Sequence, residues 1–562
     1  MKKLTVLFLF CMAVSAVFMT GCKPKSGTAA GTSTGSGRLA NGDVTLSMFF
    51  YGGISRWATD FTYRNNTFTK KLVDDTGVNV DVTAMSYADS EQRLNVMLNA
   101  GDYPEVIFGK GFSINELSYY GSQGIFIPLD DYHMENYKNI GEALSRYPLL
   151  TRLIRGADGK TYALPRVSEC LHCLYRSGRT AYYMPFVRDN NLKMFETYDE
   201  FVDYLRWVRD NDANGNGDKT DEIPMMWASN QTINAITFFA RNYLPYVDGG
   251  IALVNGKVTE QYKLNEFRET LKFMATMYKE KLIAPDSFTM TSEEARALVN
   301  RETPIVGAFG HTQMNAIMTT NSPRWVQSFI TPTLKGKNGV MYASNFAPWQ
   351  SLSNYMVITD KCKNPEIAIG LYDYLMEFET ELNSGFGPRG DFWDWPDEGA
   401  LGLNGLPARY KMLRSSGEIP ANLVWSDSSA MGAFYNEYRY GLQGVDVEDI
   451  LKWLNTGDPS LLDRMVASAS YNEAHNYLAS QQAEVYKMSD DLFIPPIGYN
   501  DEDDTRMADI NVSLGSYLSQ SWVEFITGVR NIYRDADWNT YLREIDQLGG
   551  AEKAAIIQKY LN

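Results

Sequence analysis

Hydrophobic and polar positions change period several times along the chain, and the changes predict strands alternating with helices. Residues 43–53 (DVTLSMFFYGG) form an apolar run of strand length, and a helix-like stretch follows around residues 64–75. Val78, Val80 and Val82 recur at every second position, the period of a strand. Leu94, Met97 and Leu98 instead share one face of a helix that Gly101 stops. Val106, Ile107 and Phe108 make another short strand. Strand, helix, strand, helix, strand is the order of a parallel sheet with helices on its faces. The order returns downstream, with Tyr182–Val187 predicted as strand, YDEFVDYLRWVRDND as amphipathic helix and Met225–Ala228 as strand. A helix (LNEFRETLKFMATMYKEKLI) and a strand (TPIVGAFG) complete a second α/β lobe, and the C-terminal stretch reads as helices.

Ahead of the first strand, Lys2 and Lys3 precede an apolar run of signal-peptide length, too short and too N-terminal for a permanent membrane span. It ends in Met19-Thr20-Gly21-Cys22, which resembles a bacterial lipobox. That resemblance implies cleavage before Cys22 and a lipid on its sulfur; a plain secretory signal with a chance cysteine is the alternative. Residues 23–42 are Gly, Ser, Thr and Ala with almost nothing to bury, the composition of a flexible tether. Cys170 and Cys173 form a C-x-x-C, which in an exported protein is a local disulfide, a reduced buried pair or half a metal site. No second ligand pair accompanies it, so a structural role is expected.

With 562 residues the chain is too long for one typical core. Its net charge of −16 argues against nucleic acid as a partner. Aromatic residues make up 13%, which suits either core packing or a surface that stacks on ligand rings. There are four histidines (His133, His172, His311 and His475), with no H-E-x-x-H and no P-loop, so histidine-based catalysis is poorly supplied.

The segment DANGNGDKTDEIP, residues 212–224, has a chemistry of its own. Asp212, Asn214 and Asn216 stand at alternate positions, Gly217 is sixth, and Asp218 in seventh place offers its backbone carbonyl. Oxygen-only donors suit a hard cation such as calcium and not zinc or copper. Position twelve, where an EF-hand places a bidentate Glu, is Ile223, and Asp221 and Glu222 come just before it. An acidic turn without metal is the other reading.

Four blocks resemble the family 1 extracellular solute-binding proteins, the receptor subunits of bacterial ABC importers. They are the lipobox with its tether, KKLVDDTGVNVDV with LNVMLNAGDYPEVIFG, YDEFVDYLRWVRDNDANGNGDKTDEIP, and FITGVRNIYRDADWNTYLREIDQLG. The third is similar to large Gram-positive lipoproteins and alginate-oligosaccharide-binding proteins, whose calcium loop it matches with one residue inserted before Asp221. The resemblance implies an α/β, two-lobed periplasmic-binding-protein-like fold with the ligand between the lobes and a helical C-terminal region. The expected division is 1–21 signal peptide, 22–42 lipidated Cys and tether, 43–165 first lobe, 166–345 second lobe with the calcium loop, 346–398 return to the first lobe, and 399–562 completion of the second. Two segments depart from the family, 166–181 and 472–490.

Segments expected to end at the cleft nominate Tyr51, Trp57 and Lys110 in the first lobe, Trp227 and Phe309 in the second, and Trp349 on the returning crossover. GFGPRGDFWDWPDEG aligns with a family segment bordering the cleft and adds Arg389, Trp393 and Trp395. The expectation is a monomeric, lipid-anchored receptor on the extracytoplasmic face of the membrane that passes a carbohydrate to importer permease subunits. A secreted carbohydrate-active enzyme and a cell-wall polysaccharide-binding protein are the rival classes.

Overall fold

The computed structural model of the chain describes residues 38–53, 63–175, 178–320, 322–343, 346–414, 419–425, 432–444 and 447–561. Cys22 and Trp57 lie outside the described residues.

The first lobe begins with β1 (Val44–Phe50), which pairs in parallel with β2 (Val78–Ala84) and β3 (Val106–Phe108). Helix α1 (Thr67–Thr76) crosses from β1 to β2, and α2 (Tyr87–Ala100) from β2 to β3. α1 starts three residues later than the hydrophobic pattern suggests, because the Asn66 side chain accepts hydrogen bonds from the backbone of Phe68 and Thr69 and caps the helix there. α2 stops at Gly101 as its pattern predicts. Helix α3 (Ile114–Ser122) follows β3, and β4 (Ala163–Ser168) then leads out of the lobe.

The second lobe opens with β5 (Thr180–Tyr183). The predicted strand through Val187 ends early because Pro185 sits in the first turn of a helix, Met184–Arg188. Helix α4 (Tyr198–Asp210) leads through the acidic loop to β6 (Ile223–Trp227), and a hairpin of β7 (Ile251–Val254) and β8 (Lys257–Glu260) follows. β9 (Val306–Gly310) and β10 (Ser328–Ile330) complete a four-stranded sheet in the order β10-β5-β9-β6.

The chain then returns. β11 (Leu352–Ile358) inserts antiparallel between β3 and β4 of the first sheet. A small sheet of β12 (Trp393–Asp394), β13 (Tyr410–Met412) and β15 (Leu442–Gln443) flanks it, while β14 (Ala433–Phe434) extends the first sheet beside β4. Trp425 packs its ring against Phe50, Tyr63 and Phe68 of the first core and donates to Thr69 Oγ1 at 2.7 Å. The described residues between 399 and 443 therefore build onto the first lobe, where the sequence reading assigned 399–562 to the second. Two-residue strands carry no periodicity from which to see this.

From Val447 onward the chain buries itself in the second core, where Trp453 stacks on Phe329 at 6.0 Å. Helix α5 (Tyr471–Glu484) accounts for most of the 472–490 segment, and α6 (Asp501–Thr527) buries Ile510, Leu514, Trp522 and Phe525 in the same core. The chain thus passes between the sheets at three places, β4 to β5, β10 to β11, and β15 to the helix Val447–Thr456. A disulfide joins Cys170 to Cys173 in the first of these passages, around the short helix Leu171–Leu174. α5 braces the first passage, where Glu484 accepts a hydrogen bond from the Tyr175 hydroxyl, and the strand leading into the third, where Tyr477 packs on Tyr440 with ring centres 4.6 Å apart.

Asn354, buried on β11, accepts from Phe112 N at 2.7 Å and donates to the carbonyls of Phe112 (2.8 Å) and Leu153 (2.7 Å). Removing the amide strands three backbone groups, each costing on the order of 1 kcal/mol or more when left unpaired in the interior. Asn354→Ala is expected to lose about 3 kcal/mol of stability in urea unfolding; a loss below about 1 kcal/mol would mean water replaces the amide.

Candidate functional site

Strand directions decide where a ligand meets the protein. β4 leaves the first sheet at its carboxyl end and β11 re-enters beside it. β3 runs antiparallel to β11, with Phe108 opposite Met356, so the carboxyl ends of β1, β2 and β3 lie at that same edge. In the second sheet β5 enters at Thr180, which pairs with Gly310, and Gly310 pairs with Trp227. The carboxyl ends of β6 and β9 therefore also lie at the edge where the chain crosses. Open α/β sheets bind ligands outside the carboxyl ends of their strands.

At the first edge Tyr51, Glu91, Lys110 and Glu116 come together. The Lys110 ammonium donates to Glu91 Oε2 at 2.8 Å and lies 3.2 Å from Glu116 Oε1. The Tyr51 hydroxyl donates to the same Glu91 oxygen at 3.0 Å. Lys110 Nζ is 5.4 Å from the centres of both the Tyr51 and the Phe112 rings, a cation–π arrangement. Glu116 is held by a capping box with Ser113 at the start of α3. Gly109 lets the chain close in here: its φ is +94°, and a Cβ would sit 2.6 Å from the Tyr51 carbonyl oxygen. Burial works against the Lys110 charge, but the two carboxylates outweigh it and hold the ammonium above its ordinary value. Burial likewise disfavours ionised Glu91, but the hydrogen bond and charge of Lys110, joined by hydrogen bonds from Tyr51 and Asn95, together outweigh it and hold the carboxyl below its ordinary range. Burial and Glu91 together push the Tyr51 hydroxyl up to about 12. Tyr87, at the start of α2, meets Tyr51 edge-on at 5.4 Å and is 75% exposed.

Beside this group a bulge in β11 carries Tyr355, whose ring lies under the Arg166 guanidinium at 4.5 Å. At the second edge the exits of β6 and β9 present Gln231 and His311. Gln231 Oε1 is buried and has no hydrogen-bond partner among the described residues. Burial lowers the His311 pKa to about 4, so the ring is neutral at physiological pH, and its Nδ1 accepts from Gln313 N at 2.9 Å.

Tyr51 and Lys110 are thus gathered as the sequence suggested, but three other nominees are core residues. Trp227 is fully buried, donates to Thr232 Oγ1 at 3.2 Å and meets Phe288 edge-on. Phe309 is 2% exposed between its β5 and β6 neighbours. Trp393 is fully buried in the small sheet and donates to the Gly387 carbonyl at 2.9 Å. Helices and neighbouring strands cover these positions to the strand's last residue, so the exposed groups begin just beyond it. Trp349 is half-buried in the passage from β10 to β11, edge-on to Phe493. Arg389 pairs with Glu379 at 3.3 Å and lies 5.5 Å from the exposed ring of Trp395. Sequence reasoning missed Tyr87, Glu91 and Glu116; the first two open the helix after β2, a position that strand order alone places at the edge.

The acidic loop between α4 and β6 folds its oxygens inward. Asp212 accepts from the backbone of Asn216 (3.0 Å) and Gly217 (2.7 Å), and Asn216 Oδ1 accepts from Asp218 N at 2.7 Å. Gly217 has a φ of +91°, the left-handed turn that favours glycine. Asn216 and Asn214 donate to Asp221 at 2.9 and 3.4 Å. Glu222 Oε1 accepts from Ala213 N at 2.7 Å, while Glu222 Oε2 is buried with no partner among the described residues. Burial, with Asp221 adding to it, pushes the Glu222 pKa up. No group of three or more His, Cys, Asp or Glu side chains at metal-holding distance occurs among the described residues. The donors are carboxylates, side-chain amides and a backbone carbonyl, and the unpartnered carboxylate oxygen makes the set chemically suited to a hard cation.

A model of the bacterial extracellular solute-binding protein family matches residues 59–377, more than half of the chain. The fructooligosaccharide ABC transporter substrate-binding protein FusA of Streptococcus pneumoniae is 23% identical over 511 residues, 87% of this chain and 86% of FusA. The solved structure of FusA with kestose has a TM-score of 0.70 at 20% identity and covers 92% of this chain and 98% of that one. An EF-hand mutant of FusA with fructo-nystose gives 0.69 at the same identity and coverage. Lipoprotein LipO of Bacillus subtilis is 26% identical over 232 residues, 40% of this chain and 42% of LipO. The alginate-binding protein AlgQ2, solved without calcium ion, has a TM-score of 0.61 at 17% identity, covering 94% of this chain and 99% of that one. At these identities the solved structures establish a shared two-lobed fold.

Because Glu91 is held below its ordinary value, the stability it contributes is present above the pH at which the unfolded carboxyl ionises, and is lost as the pH falls through the folded value. Lys110→Met is expected to cost about 1–2 kcal/mol at neutral pH, since the pair is partly exposed. The loss should shrink in urea titrations repeated near pH ~3.5. Equal losses at both values would mean that Lys110 contributes packing alone.

Proposed function

The chain belongs to the bacterial extracellular solute-binding proteins, and from that premise we propose that it captures an oligosaccharide between its lobes and delivers it to the membrane subunits of an ABC importer. The observation that carries the reading is the shared orientation of the two sheets, whose strand exits lie where the chain crosses between lobes. Tyr51 and Tyr87 supply flat apolar faces for sugar rings, and Glu91 and Gln231 supply acceptors for hydroxyls. Trp57, Trp349, Arg389 and Trp395 remain proposed contacts of the same cleft. Hinge motion at the three passages would close the lobes on the ligand.

The reading is of binding without turnover. A glycosidase acid needs a raised pKa, whereas Lys110 holds Glu91 below its ordinary value. No helix among the described residues is long and apolar enough to cross a membrane. A lipid on Cys22 would hold a monomeric receptor at the outer face of the membrane. Its tether would be shorter than the 23–42 expected from composition, because the backbone of Leu39, Ala40 and Gly42 donates to Thr76 and Gly77 of the first lobe. The relative LipO is itself a lipoprotein.

We also propose that the acidic loop binds calcium through Asp212, Asn214, Asn216, the Asp218 carbonyl, Asp221 and Glu222. The FusA EF-hand mutant supports this reading. The ion would neutralise a crowded carboxylate turn and so fix the connection from α4 to β6, whose exit carries Gln231.

Thermal shift of the purified chain tests the first proposal. An oligosaccharide present at one hundred times its dissociation constant is expected to add about 2.7 kcal/mol of stability, with no new products on chromatography. Cleavage of the sugar would contradict the receptor reading, and no shift with any oligosaccharide would contradict the ligand class. For the loop, calcium is expected to raise the melting temperature of the wild type well above that of Glu222→Gln. In chelator the variant should melt no lower than wild type, because it lacks the buried carboxylate whose oxygen has no partner. Equal calcium gains would remove Glu222 from the metal shell.

A further inference from the structure

We infer that the first-lobe edge of the cleft selects uncharged oligosaccharides and rejects those carrying uronic acids, an inference that rests on the oligosaccharide reading above. Among the described residues at that edge, the cation placed to greet an acidic sugar is Lys110, at the exit of β3, and its charge is already taken. Its ammonium lies 2.8 Å from Glu91 and 3.2 Å from Glu116, so one positive charge serves two carboxylates and the group is negative as a whole. Neither carboxylate is free to swing away: Glu91 also accepts from Tyr51, and Glu116 is tied into the α3 capping box.

Two further cations described above are held by neighbouring side chains. Arg389 is paired with Glu379, and the Arg166 guanidinium is stacked on Tyr355. At the opposite edge His311 is kept neutral by burial and adds no positive charge. A sugar carboxylate closing onto Tyr51 and Tyr87 would lose water without gaining a counter-charge, which is costly. It would also face carboxylates that can only accept hydrogen bonds. A sugar hydroxyl meets the same groups as a donor, which is the complementary chemistry. Specificity here arises from a repulsive element built in beside the attractive one.

Calorimetric titration of the full chain tests this with neutral probes (kestose, nystose and maltotriose) and acidic ones (trigalacturonate and trimannuronate). At least one neutral sugar is expected to bind at least tenfold more tightly than either uronate. Glu91→Gln with Glu116→Gln is expected to narrow that gap by at least tenfold, by leaving Lys110 unneutralised. The wild type gives a second readout that does not depend on the variant folding. Raising salt from about 50 to 500 mM should strengthen any residual uronate binding by screening repulsion, and leave neutral binding unchanged. A uronate that binds as tightly as the best neutral sugar, or whose binding weakens with salt, overturns the inference and leaves the oligosaccharide reading standing. If neither class binds, the oligosaccharide reading falls and takes the selectivity with it.

Discussion

The pairing of β11 between β3 and β4 is the constraint on which the rest of the molecule depends. The chain has by then made all four strands of a second sheet, and it must come back antiparallel into a gap between two strands made much earlier. Met356, Val357 and Ile358 are buried there, each worth on the order of 2 kcal/mol when taken out of water. Asn354 ties the same strand to Phe112 and Leu153, which fixes the segment carrying Lys110. Because β11 starts at the edge where β4 ends, the passages between lobes and the exits of β1, β2 and β3 fall on one side of the sheet. The cleft is a consequence of that strand order.

The chemistry at the edge follows from how much water remains. Lys110 is mostly covered, with 12% of its side chain exposed, yet it stays charged because two carboxylates reach it. A single partner would leave the cluster neutral; two make it negative. His311, shielded by burial and without a carboxylate among the described residues to hold its proton, resolves the same problem by staying uncharged. The passages are stiffened from outside by α5, which touches Tyr175 before β5 and Tyr440 before β15, so the long C-terminal stretch belongs to the hinge as well as to the second core.

Much of this was legible in the chain itself. Period-two valines marked β2, and the spacing of Leu94, Met97 and Leu98 with Gly101 marked α2. The family blocks brought the two-lobed fold and a donor set suited to calcium. What could not be read was which side of a strand end is covered. Trp227 and Phe309 were placed at the correct edge, but they sit at the covered ends of their strands, and the partly exposed side chains are Gln231 and His311 a few positions on. Tyr87 and Glu91 were missed for the complementary reason: they look like ordinary residues near a helix start until strand order puts that end at the edge. Residues 399–443 were misassigned because β14 is two residues long and its pairing with β4 spans nearly half the chain.

Hydrogen–deuterium exchange of the chain with and without its oligosaccharide tests the central claim most directly. Two edges on different sheets should act as one site. The account predicts that ligand slows exchange together in 86–92 and 109–113 of the first lobe and in 228–232 and 310–314 of the second. Protection confined to one lobe, or spread over outer helices and absent from both sets of strand exits, would contradict it.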